Sequence, residues 1–70
     1  MSGYKFDPNK LERELARRGL DGQRLAEKSG IDKSTISKAR HGRPLRWRTM
    51  ARIVEAIHNE PLVRGAELLA

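Results

Sequence analysis

The 70-residue sequence has no cysteine, which excludes disulfides and thiolate metal sites and fits a reducing compartment. Its two histidines, His41 and His58, are far apart and do not make a zinc site. Phe, Tyr and Trp occur once each and proline three times, at segment edges; with a bias toward Ala, Leu, Glu, Arg and Lys this favours helices over strands. No uncharged apolar run exceeds a few residues, so no membrane span is expected. The opening Met-Ser-Gly-Tyr-Lys lacks the apolar stretch of a signal peptide, and a soluble, cytoplasmic protein is expected. A chain this short buries only about 60% of the surface its unfolded form exposes, leaving little room for an enclosed active site. No nucleophile and base are paired, so neither enzyme activity, a metal nor a cofactor is expected.

Acid is missing from one stretch altogether. Between Lys33 and Arg52 stand seven Lys or Arg and no Asp or Glu, while the other fifty residues hold eight basic and nine acidic side chains. The net charge of +6 therefore belongs to one short segment. Such a block suits a polyanion, and nucleic acid is the first partner to consider.

The remaining signals are helical. Residues 1–5 carry no pattern and read as a loose arm, and residues 6–70 as a single domain. Phe6-Asp7-Pro8 then begins a helix over about 8–18: Asp7 caps, Pro8 suits the first helical position, and Phe6 can staple to Leu11. Glu14 and Arg18 stand one turn apart, and Gly19 closes the helix. Leu20-Asp21 and Ile31-Asp32 repeat this entry, and Gly30 and Gly42 repeat the exit. A fourth helix places Trp47, Met50, Ile53, Val54 and Ile57 on one apolar face, with Trp47 expected in the core. Asn59-Glu60-Pro61 restarts a fifth, in which Leu62, Val63, Ala66 and Leu69 could cover the bundle.

On the third helix, with about 100° per residue, Lys33, Ser34, Ser37, Lys38 and His41 share one arc, and Ile36 and Ala39 lie opposite. A helix anchored by two apolar residues and free on its other face can enter the roughly 12 Å major groove, where hydroxyls and amines reach base edges. With no acid to balance them, Arg43, Arg46 and Arg48 are read as phosphate contacts. Arg40, at the edge of the exposed arc, and His41, at the helix end, join them. Asp7, Asp21 and Asp32 each sit at a helix start and are read as caps rather than a catalytic set.

The string Leu25-Ala26-Glu27-Lys28-Ser29-Gly30-Ile31-Asp32-Lys33-Ser34-Thr35-Ile36-Ser37, continued by His41-Gly42, resembles the helix-turn-helix of the lambdoid phage repressor and Cro family, often called XRE-like. Phe6-Asp7-Pro8, Arg18-Gly19-Leu20 and Thr49-Met50-Ala51-Arg52-Ile53 extend the resemblance over nearly the whole chain. It implies an all-α, compact five-helix bundle, a cytoplasmic DNA-binding regulator of bacterial or phage type acting as a repressor. It also implies a palindromic operator in double-stranded DNA, bound by a two-fold homodimer with half-sites one helical turn apart. The resemblance assigns base contacts to Lys33, Ser34, Ser37 and Lys38, and phosphate contacts to Gln23, Thr35, Arg40, His41, Arg43, Arg46 and Arg48.

Three departures from the family pattern stand out. Gly22 occupies the place where a phosphate-gripping Gln usually opens helix two, with Gln23 one place late, so a backbone amide or Gln23 takes that role. Leu15 and Arg40 stand where members pair an Arg with a Glu, which leaves Arg40 available to DNA. Arg46 and Arg48 replace Ser and Glu at the start of helix four. The competing reading is an antitoxin-like module whose residues 62–70 bind a partner protein while DNA binding only autoregulates. An RNA partner is disfavoured because an A-form major groove does not admit a helix.

Overall fold

The computed structural model describes residues 3–63. Among them the chain forms four helices, α1 (Pro8–Arg17), α2 (Gly22–Ser29), α3 (Lys33–Arg40) and α4 (Trp47–Asn59). Each of the first three begins at an aspartate in extended conformation whose carboxylate accepts a backbone N–H three residues on: Lys10 to Asp7 at 3.0 Å, Arg24 to Asp21 at 2.8 Å and Thr35 to Asp32 at 3.2 Å. A cap of this kind contributes about 0.5–2 kcal/mol. The expected glycine exits hold, since Gly19, Gly30 and Gly42 all have positive φ.

Gly30 does most to bring α2 and α3 together. At φ 72° it adopts a conformation that L-residues enter only at a cost. A Cβ there would also lie 2.9 Å from the Arg52 guanidinium of α4. The preceding Ser29 is buried, and its hydroxyl donates to the Leu25 carbonyl at 2.7 Å, so its burial leaves no polar group unsatisfied.

Each helix sends one large side chain fully into the core: Leu15, Leu25, Ile36 and Ile53. Leu11, Leu20, Ala39, Leu45, Ala56 and Ile57 complete it, with Phe6, Ala26 and Ile31 packed at its margin. Helix α4 lies against α2, which contacts α3, which in turn contacts α1. Arg18 closes the far end by donating to the carbonyls of Ile57 at 3.1 Å and Glu60 at 2.6 Å, satisfying carbonyls that a helix C-terminus leaves free.

Four expectations need correction. The described residues hold four helices, not five: Glu60 is extended, as a residue before proline prefers, and the Val63 N–H donates to the Arg17 carbonyl at 2.8 Å. The rest of the expected fifth helix, and of the partner-binding segment 62–70, lies at 64–70, outside the described residues. Trp47 is 60% exposed rather than in the core. It is the first residue of α4, and its ring meets Tyr4 with centroids 5.5 Å apart. The buried stripe of α4 is Ile53, Ala56 and Ile57, with Met50 and Val54 only half-buried. Finally, the segment expected as a loose arm is held at Tyr4, which exchanges two backbone hydrogen bonds with Leu45, at 2.8 and 2.7 Å. None of the helices among the described residues is long and apolar enough to cross a membrane.

Candidate nucleic-acid interface

Helix α3 has two faces. Ile36 and Ala39 are 2% and 0% exposed, while Lys33, Ser34, Ser37 and Lys38 are all exposed on the other side. The apolar pair fixes the helix axis against the core, so the outward side chains are displayed on a rigid support. Among the described residues Lys33, Lys38, Arg43, Arg46, Arg48 and Arg52 form no ion pair. Their charge is left to solvent or to a bound polyanion.

The opening of α3 is organised by Asp32. Its carboxylate accepts the hydroxyl of Ser34, the hydroxyl of Thr35 at 2.8 Å and the backbone N–H of Thr35. These bonds, first that from Ser34 and then those from Thr35, hold the Asp32 carboxyl down at about 2, as stabilisation of the charged form requires. Thr35, expected at a phosphate, is turned to Asp32 in this structure. Both its donors are committed to Asp32, and a phosphate oxygen only accepts.

At the other end of α3, His41 Nδ1 lies 2.7 Å from the Ser37 carbonyl. A carbonyl only accepts, so Nδ1 carries the proton in this contact. The Ser37 hydroxyl stands 3.5 Å from the same Nδ1.

Arg40 is not the free cation expected. Its Nε donates to Glu12 Oε1 at 2.7 Å and one terminal nitrogen donates to Oε2 at 3.2 Å, a two-point pair across α1 and α3. The hydrogen bond to Glu12 pushes the guanidinium pKa up against some burial. The acid comes from position 12 of α1, about one turn before the buried Leu15. The remaining guanidinium nitrogen lies over Gly22, where a Cβ would stand 2.7 Å from this movable end of Arg40. The side chain missing from the start of α2 is missing from space that Arg40 fills. Sequence reasoning overlooked Glu12, whose partner is 28 residues away; the only local hint was the coincidence of Gly22 with an unbalanced Arg40.

Together α2 and α3 enclose a concave pocket of about 470 Å³, lined by Gln23, Lys33, Ser37, Arg40, His41 and Gly22 among others. Five expected contact residues are thus gathered on one surface. Arg43 and Arg46 lie outside it, in the connection from α3 to α4, and Arg48 in the first turn of α4. All three are exposed, and Arg46 is the N-cap of α4 without a capping bond.

No curated protein and no solved structure gives a match to this chain. The family model of the Cro/C1-type HTH DNA-binding domain, however, matches residues 10–61, which contain the whole of α2, α3 and α4. A tight turn at Gly30, a third helix anchored by Ile36 and Ala39, a cationic outer face and this match agree, and the chain belongs to the Cro/C1-type helix-turn-helix family of DNA-binding domains that regulate transcription.

Proposed function

We propose that the protein is a sequence-specific repressor that places α3 in the major groove of duplex DNA. Base edges are read by Lys33, Ser34, Ser37 and Lys38, and phosphates are held by Gln23, His41, Arg43, Arg46 and Arg48. Arg40 contributes through the one nitrogen that Glu12 leaves free, over Gly22. The observation that carries this reading is the division of α3 into a buried anchor, Ile36 and Ala39, and an exposed face of lysines and hydroxyls. The operator is a palindrome bound by two copies, with half-sites about 34 Å apart along the duplex.

Selection of bound duplexes from a random pool supplies the operator and tests the division of roles. Lys38→Ala is expected to change which sequences are selected. Arg46→Ala is expected to weaken operator and random duplex alike and to flatten the salt slope by about one. Equal losses on operator and random duplex for both variants would contradict the assignment, and a selection without enrichment would remove sequence specificity itself.

A further inference from the structure

A serine hydroxyl ordinarily reads either kind of base edge, because it holds one proton and two lone pairs. Ser34 does not have that freedom. Its hydroxyl is bonded to Asp32, which as a carboxylate has no proton to give. The proton in that contact must come from serine. The neighbouring Thr35 hydroxyl is spent in the same way, at 2.8 Å from the other carboxylate oxygen. The carboxyl of Asp32, held at about 2, is ionised throughout the physiological range. Ser34 itself is exposed, one residue after Lys33. What it turns outward is lone pairs alone.

We propose that Asp32 sets the hydrogen-bond polarity of Ser34, making it an obligate acceptor that selects adenine or cytosine at the base it meets. The inference rests on the reading of α3 as the helix in the major groove. There, adenine N6 and cytosine N4 are the groups that donate, whereas guanine O6 and N7 and thymine O4 accept. A Ser34 oxygen without a proton bonds the first pair and is left facing lone pairs by the second. Lys33 and Lys38 have the opposite constraint: an ammonium donates only, so each meets an acceptor, with guanine offering two on one edge. The outer face of α3 thus carries fixed donors at 33 and 38 and a fixed acceptor at 34. Asp32 is a positioning residue for this code and touches no base.

The substitution that separates polarity from structure is Asp32→Gly. The Asp32 oxygen that takes the Ser34 hydroxyl also takes the capping N–H of Thr35, so an asparagine that kept the cap would keep an acceptor on Ser34, whereas glycine removes the acceptor and is still a favoured capping residue. Random-duplex selection is run on the full chain with wild type, Asp32→Gly and Ser34→Ala, and far-ultraviolet circular dichroism checks that helix content is kept. In the wild-type logo one position should favour adenine or cytosine by roughly five- to tenfold, the ratio one net hydrogen bond supports. Ser34→Ala should erase that preference and leave the other positions alone. Asp32→Gly should admit guanine and thymine at that position, because the freed hydroxyl can also donate. The loss of a negative charge tightens binding to every sequence, so base preference and not affinity is the readout.

Full retention of the adenine or cytosine preference in Asp32→Gly overturns the proposal, as does a guanine or thymine preference in the wild type that Ser34→Ala abolishes. A Ser34→Ala logo identical to wild type removes Ser34 from base reading and overturns it too. Failure of wild type to enrich any duplex fells the DNA-reading assignment itself, a result distinct from any shift confined to one logo position.

Discussion

The two sides of this molecule treat the same side chains in opposite ways. On the scaffold side, Arg17 and Arg18 pair with Glu14, and Arg24 and Lys28 both approach Glu60, at 3.9 and 3.5 Å. From Lys33 to Arg52 only Arg40 has an acid within reach among the described residues, and that acid comes from α1. Neither set contributes much to stability, since exposed pairs are worth at most about 1 kcal/mol. The difference lies in what is left over. Those four scaffold cations are paired where they stand, whereas the cations of the α3 side leave a field that a polyanion can cancel. Arg40 and Glu12 mark the seam between the two.

That contrast is most sharply tested with salt. If about six phosphates are neutralised per subunit, log K should fall against log salt with a slope near −5, roughly a thousand-fold between 50 and 200 mM. Arg24→Gln and Lys28→Gln on the scaffold should leave the slope where it is. A flat response, or an equal change from scaffold and α3-side variants, would abolish the distinction.

Ile36→Ala attacks the anchor that makes α3 a separate face. It should cost about 2–5 kcal/mol in urea unfolding, enough to threaten a domain of this size. A loss below about 1 kcal/mol would mean that α3 is held by something other than its buried side chains.

The smallest effect concerns pH. The Asp32 carboxyl is depressed from its ordinary 3.8 to about 2, so its contribution is complete above pH 3.8 and lost as pH falls through 2. Helix content followed by circular dichroism between pH 5 and 2 should fall earlier in Asp32→Asn-free wild type than in Asp32→Asn, whose cap does not titrate. Identical acid profiles would show that this cap is not what holds the start of α3.

Much of this was legible along the chain because it is local. The three aspartate caps and the glycine exits each involve residues within a turn of one another, and periodicity alone put Ile36 and Ala39 opposite Lys33 and Lys38. Even the capture of Ser34 and Thr35 by Asp32 spans three residues and was within reach of the same reasoning. Trp47 was misjudged because periodicity shows which face of a helix a residue shares but not whether another element covers that end. Tyr4 was misjudged because its partner is Leu45, and no local pattern signals so distant a bridge.

The order of residues therefore determined by itself where helices α1 to α3 start and stop, which side of α3 is greasy, and that one stretch is cationic, since these depend on spacings of a few residues. Only the tertiary structure decided that Arg40 would be held by Glu12 above Gly22, that Trp47 would stay outside, and which cations would remain unpaired. Those outcomes depend on distances between segments far apart in the chain, and packing of the whole core sets such distances.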